Sequence, residues 1–281
     1  MLNLRSLDSL IELAFEEDIG IGDITTDATV PSTQKGVGTL LAKSEGIVAG
    51  LPVAERVFEK LDSTLTFRRL VNDGDTVNIS TPIAEVQGSA KSILIGERTA
   101  LNFLQRLSGI ATFTAQFVAA VADYDTKIVD TRKTAAGWRA VQKYAVRIGG
   151  AQNHRFGLYD GVLIKDNHIV AAGGITNAVQ QARQVVPHTA KIEVEVETVE
   201  QIDEALKVGA DILLLDNMPP GTMQRVVQEI GDRAITEASG GITLDSVKTV
   251  AATGVDFISV GALTHSAMPM DISLTLTLVA E

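Results

Sequence analysis

The sequence predicts an α/β protein of two domains, and three observations carry that expectation. From Asp125 onward, short apolar runs alternate with amphipathic stretches, the pattern of repeated strand–helix units. The first hundred residues have a different texture, short strand-like runs punctuated by turns with few helices between them. Residues 96–122 separate the two textures as long helical material.

Taken in order, residues 4–17 space their apolar side chains as a helix does, and "DIGIGDITTDATVP" (18–31) reads as a loop rich in Gly, Asp and Thr. Strand-like runs follow in "GTLLAKSEGIVAG" (38–50), "LTFRRLV" (65–71) and "PIAEVQG" (82–88). The helix-patterned "LPVAERVFEKLD" (51–62) separates the first two, and the turn "NDGDTV" (72–77) the last two. This mixture suggests an α+β domain on an antiparallel sheet. The helical stretch 96–122 is expected to break or bend near Gly109, which sets a boundary. Residues 1–112 then form the first domain, 113–267 the second, and 268–281 pack back on the first.

In the second domain the expected strands are 126–130, 161–165, 191–197, 211–216, 234–239 and 256–261. Amphipathic helices over 176–187, 198–210, 222–231 and 243–254 lie between the later ones. Such units make right-handed crossovers and a parallel sheet; a closed barrel is the simplest way to bury both faces, and an open doubly wound sheet is the alternative.

Composition narrows the function. A net charge of -11 and a pI near 4.9 oppose a general nucleic-acid binder, which needs a broad cationic face. Yet residues 130–168 hold seven Lys/Arg against three Asp, a local +4 that leaves -15 for the rest. Any anion bound there is small and locally held. Absence of cysteine removes disulfides, thiolate metal sites and a Cys nucleophile, and fits a reducing compartment. No run approaches a membrane span, so a cytoplasmic protein without a membrane partner is expected.

The polar residues fall where an α/β barrel builds its active site, at the C-terminal ends of strands. Arg132 and Lys133 follow the first strand, Lys165 ends the second, Glu195 sits late in the third, and Asp216 and Ser239 end the next two. Arg139, Lys143 and Arg147, spaced by four, read as a solvated helix face. His154 and Arg155 lie in a Gly-bounded loop. Lys165 suits a Schiff-base nucleophile, a phosphate clamp, or a lysine salt-bridged to Asp166. Glu193, Glu195 and Glu197 share one strand face and need facing cations or a metal, with Glu193 and Glu197 the better candidates for plain pairing with lysines. Asp216 adds an oxygen ligand on the next strand. "SGG" (239–241) and "GAL" (261–263) offer small residues whose amides can approach a phosphate. His168 and His265 read as hydrogen-bonded structural residues.

"DTRKTAAGWRAVQKYAVRIGGAQNHRFGLYDGVLIKDNH", with "GERTALNFLQRLSGIAT", "EVEVE", "ILLLDN", "EASGGI" and "GVDFISVGALTHS", resembles the quinolinate phosphoribosyltransferases, the decarboxylating nicotinate-nucleotide pyrophosphorylases of NAD biosynthesis. The likeness runs from about "EDIGIGDITTD" to the C-terminus. It implies an N-terminal α/β sandwich, a C-terminal open α/β barrel of about six parallel strands, and a homodimer in which Arg98 of "GERT" is donated across the interface. Its substrates are quinolinate and 5-phosphoribosyl-1-pyrophosphate with Mg2+, its products nicotinate mononucleotide, pyrophosphate and CO2. Arg98, Arg132, His154 and Arg155 then grip the two carboxylates. Lys133 and Lys165 lie near pyrophosphate and carboxylates, Glu195 and Asp216 hold the metal and the ribose hydroxyls, and Ser239, Gly240 and Gly261 cradle the 5-phosphate. In "KTAAGWR", Ala135 and Ala136 stand where the family commonly has Thr and Pro, which loosens that loop without removing charge. Three other readings stay open: a Schiff-base lyase using Lys165, a phosphoribosyltransferase-like paralogue of molybdenum metabolism, and a phosphate-ligand sensor.

Overall fold

A computed structural model describes residues 4–279 of the chain, which divides into two compact units. Of the described residues, the first comprises 4–115, 134–150 and 264–279, and the second 116–133 and 151–263. Residues 134–150, read from sequence as part of the barrel domain, thus count with the first unit.

The first unit opens with α1 (Leu4–Asp18) and the short α2 (Ile24–Thr29), the latter inside the segment read as a loop. Asp23 accounts for it, its carboxylate capping the helix by accepting from the Thr26 backbone N–H at 3.0 Å. Next come β1 (Lys35–Ala42), β2 (Gly46–Ile47), α3 (Leu51–Leu61), β3 (Thr66–Arg69), β4 (Thr76–Val77) and β5 (Pro82–Ser89). The antiparallel sheet has the order β12-β1-β5-β3, with β12 (Ile272–Leu278) pairing along β1. Its inward side chains Leu40, Ala42, Ile83 and Ala84 pack with Leu51 of α3 and with Leu101 and Leu104, all at most 1% exposed. Asp73 caps α3 by accepting from the Gly50 and Leu51 N–H groups at 2.9 and 3.0 Å.

The long helix α4 (Ala90–Ala120) runs unbroken for 31 residues, so the expected break near Gly109 is not there. That glycine serves close approach instead: a Cβ on it would overlap the Met268 carbonyl, whose carbon would lie 2.9 Å away. In α5 (Arg139–Ile148), Val141, Gln142, Lys143, Ala145 and Val146 are all buried. Trp138, just before it, stacks on Phe103 with ring centroids 4.5 Å apart. The "TAAG" loop ahead of it is tied by the Ala135 N–H to Gln142 Oε1 (2.9 Å) and by Arg139 Nε to Thr134 Oγ1 (3.0 Å).

The second unit carries β6 (Lys127–Val129), β7 (Val162–Ile164), α6 (Asp166–Ala172), α7 (Ile175–Val185), β8 (Ile192–Val196), α8 (Val199–Lys207), β9 (Ile212–Asp216), α9 (Pro220–Ile230), β10 (Ile235–Ser239), α10 (Leu244–Ala251) and β11 (Phe257–Ser259). All six strands are parallel in the order β6-β11-β10-β9-β8-β7. The outermost two do not pair with each other; Gln152 bridges to β6, its N–H donating to the Ile128 carbonyl at 2.9 Å. This is an open barrel rather than a closed one.

Alternation along each strand sorts the side chains. Ile192, Val194, Val196, Leu213, Leu215, Ala238 and Ile258 are fully buried on one face. Glu193, Glu195, Leu214, Asp216, Glu237, Ser239 and Ser259 occupy the other, Glu195 and Glu237 both in register with Leu214 and Ser239 with Asp216. The apolar face meets helices and the mixed one lines the interior.

Candidate active site

The C-terminal strand ends of the second unit enclose a cavity of about 300 Å³. Thr131, Arg132 and Lys133 reach it from the end of β6, His154 and Arg155 from the loop before β7, and Leu163 and Lys165 from β7. Leu214, Glu237, Ser239 and Ser259 complete its wall from β9, β10 and β11. Four cationic side chains on three separated segments thus converge on one space. Four of the seven Lys/Arg of residues 130–168 come to lie here.

The loop 151–161 holds its shape through carboxylates. Asp130, fully buried, accepts from Asn153 Nδ2 (2.6 Å) and from the His154 N–H (2.9 Å), fastening the loop to the end of β6. Asp160 accepts from the Phe156 and Gly157 N–H groups at 2.6 and 2.8 Å. Arg155 donates from Nη1 to the Gly161 carbonyl at 2.9 Å, while its Nε is buried and makes no hydrogen bond. Burial, reinforced by the neighbouring Arg132 charge, pulls the Arg155 guanidinium below its usual range. A half-buried guanidinium with donor capacity in hand is prepared for an anion.

Lys165 pairs with Glu195 and not with Asp166, whose Oδ1 accepts from the Asn167 N–H instead. The Lys165 N–H donates to His168 Nδ1 at 2.9 Å, and His265 Nδ1 meets Ser266 Oγ at 2.7 Å. Asp216 accepts from Asn217 Nδ2 at 2.7 Å and stands at the β9 end, one strand from Glu195. Gly240, after β10, has φ +101°, and a Cβ there would come within 2.8 Å of the Asn217 backbone nitrogen, so only glycine lets this turn close. Gly261 follows β11, and Arg98 lies exposed on α4 in the first unit.

The three-glutamate face of β8 divides by depth. Glu197 is exposed, Glu195 is half-buried, and Glu193 is 4% exposed. Its Oε2 lies 3.2 Å from His154 Nε2. Glu237 Oε1 lies 3.5 Å from the same nitrogen, giving a buried cluster of two carboxyls and one imidazole. Burial, with the Glu193 charge behind it, pushes the Glu237 carboxyl up to about 7. The only sequence signal for Glu237 is parity, since it faces the same way as Ser239 two residues on. Asp130 carries no stronger signal, closing an apolar run as an ordinary strand-end acid does.

The basic stretch is redistributed as well. Arg147 is exposed, but Lys143 is 0% exposed, so it does not belong to a solvated helix face. The spacing of four is helical, as the sequence predicts, but the helix turns Lys143 toward the protein and not toward solvent.

Residues 23–108 match the family described as quinolinate phosphoribosyl transferase, N-terminal domain, and residues 110–275 its C-terminal domain. A probable nicotinate-nucleotide pyrophosphorylase [carboxylating] of Bacillus subtilis (strain 168) is 47% identical over 280 residues, covering 100% of this chain and 96% of the relative. A quinolinate phosphoribosyltransferase [decarboxylating] 1b of Nicotiana tabacum is 43% identical, with coverage of 95% and 81%. Among solved structures, NadC from Streptococcus pyogenes superposes with a TM-score of 0.95 at 40% identity, over 100% of this chain and 99% of that one.

Proposed function

Because the chain belongs to the quinolinate phosphoribosyltransferase family, we propose that its strand-end cavity joins quinolinate to the ribosyl carbon of 5-phosphoribosyl-1-pyrophosphate. Pyrophosphate and CO2 leave, and nicotinate mononucleotide enters NAD biosynthesis. The observation that carries this reading is the convergence of Arg132, Lys133, Arg155 and Lys165 on one cavity of an otherwise acidic chain.

One ion pair at 4 Å is worth about 4 kcal/mol at an effective dielectric near 20, before desolvation is subtracted. A lone arginine therefore does not select a dianion, whereas several directional donors do. Arg132 and Arg155 take the adjacent carboxylates, with His154 behind them and Arg98 contributed by a second copy of the chain in a homodimer. Nicotinate, with a single carboxylate, leaves buried donors unmatched and is rejected.

Lys133 and Lys165 face the pyrophosphate side. Glu195 and Asp216 sit on adjacent strands, each retaining one carboxylate oxygen beyond its bond to Lys165 or Asn217, and hard oxygen donors of this kind suit magnesium. Magnesium, when bound, supplies charge neutralisation for the departing pyrophosphate. The two carboxylates also set a negative field that stabilises the cationic ribosyl carbon as the ring nitrogen attacks it. Ser239, Gly240 and Gly261 take the 5-phosphate at the ends of the last strands.

Purified protein supplied with quinolinate, phosphoribosyl pyrophosphate and magnesium is expected to form nicotinate mononucleotide, and with nicotinate in place of quinolinate to form almost none. Absence of product at saturating quinolinate refutes the reading.

A further inference from the structure

The interior face of the second unit holds a second cavity, of about 600 Å³, beneath the strand-end site. The two cavities share three wall residues, His154, Arg155 and Glu237. Glu237 is therefore reached from both sides while remaining 6% exposed.

His154, Glu193 and Glu237 place one nitrogen or oxygen each within 4.8 Å of one another, as metal ligands do. The imidazole tautomer speaks against that use. The Arg155 N–H donates to His154 Nδ1 at 2.7 Å, so Nδ1 accepts and the ring proton sits on Nε2, pointing at both glutamates. A neutral imidazole in that state has no lone pair on Nε2 for an ion. One ring proton also cannot serve two buried carboxylates. Glu193 Oε1 and Glu237 Oε1 are both buried and make no hydrogen bond, and a proton on one carboxyl is the smallest addition that relieves the excess charge.

The reaction needs such a proton. When the 2-carboxylate of the N-ribosylated ring departs as CO2, the broken carbon–carbon bond leaves its electron pair on C2 beside the cationic nitrogen, and a hydrogen must take the vacated position. We propose that Glu237 is the acid that delivers this hydrogen to C2, becoming a carboxylate that water in the lower cavity reprotonates. The proposal rests on the phosphoribosyl-transfer reading above. Each strand or loop around Glu237 fits the role. Glu193 on β8 favours the neutral acid, His154 from the loop and Lys165 at the β7 end favour its anion after transfer, Ser259 on β11 adds a hydroxyl, and β9 presents only Leu214. Arg132 and Lys133 line the same cavity and hold the remaining substrate charge.

The test is a quenched single turnover of Glu237→Gln in which pyrophosphate, nicotinate mononucleotide and the N-ribosylated dicarboxylate are each measured. Pyrophosphate is expected within about threefold of wild type, with mononucleotide formation slowed about 10²-fold or more and the dicarboxylate accumulating, the magnitude of a lost general acid. Equal slowing of both products, or slowing of neither, overturns the proposal. Should the variant not fold, the wild-type chain serves: mononucleotide formation is expected to slow as pH rises above neutrality while pyrophosphate release holds, and parallel profiles overturn the proposal. A wild-type chain that releases no pyrophosphate from quinolinate and phosphoribosyl pyrophosphate fails the underlying reading instead.

Discussion

Two layers of the same barrel interior treat charge in opposite ways. At the strand ends, Arg132, Lys133, Arg155 and Lys165 crowd like charges around a cavity. More deeply buried, though Glu237 stands at the same register as Glu195, Glu193 and Glu237 crowd carboxyls around a single imidazole. The upper layer gathers four cations with Glu195 paired to one of them, and a dianion from outside would meet the rest of that positive charge. The lower layer has only protons to draw on, so its charge is set by titration. Depth, more than residue type, decides whether a cluster binds a ligand or holds a proton.

The contrast breaks most directly at the upper layer. Arg132→Ala or Arg155→Ala should each cost about 10²- to 10³-fold in kcat/KM for quinolinate, as expected when one member of a desolvated charge pair is truncated. Steady-state kinetics against quinolinate and nicotinate should show the preference for the dicarboxylate collapsing. Lys127→Ala is the control, since Lys127 is exposed at the opposite end of β6 and should leave the kinetics unchanged. If Lys127→Ala weakens quinolinate use as much as Arg132→Ala, position at the strand end is not what matters.

Lys143 sharpens the same contrast from the other unit. It belongs to the basic stretch by sequence and to the interior by structure, fully buried in α5. Lysines are almost never fully buried unless paired, so Lys143→Ala strips a buried partner and should destabilise the fold by about 3–5 kcal/mol. Chemical denaturation measures this, and a loss below about 1 kcal/mol would return Lys143 to the solvated face that its spacing suggested.

What could be read from the sequence follows the same division. The six parallel strands were legible because each is a short apolar run bounded by polar or Gly residues, and strand ends mark themselves with Arg132, Lys165 and Asp216. Gly109 does not break its helix, because a glycine there marks a close neighbour, and only the chain from Met268 supplies that neighbour. The Asp23 cap of α2 was hidden in a segment dominated by turn formers. Glu237 was unreadable for a different reason. Its partners Glu193 and His154 lie 44 and 83 positions away, so the cluster exists only once three separate segments have been brought together.

The smallest expected effect probes the lower layer in the absence of substrate. The folded-state value of Glu237, about 7, lies above the 4.5 of an unperturbed glutamate, so the folded chain holds a proton that the unfolded chain releases between those two values. Its contribution is complete below pH 4.5, declines as pH rises toward 7, and is a full penalty above that, on the order of 3 kcal/mol. Glu237→Gln keeps the shape and removes the titration. The variant should therefore gain stability over wild type at pH 8, and that difference should shrink toward zero as pH falls to 4.5. Thermal unfolding at both pH values measures it. A difference that does not change with pH would mean that Glu237 does not titrate in this window, and the lower layer would then differ from the upper in depth alone.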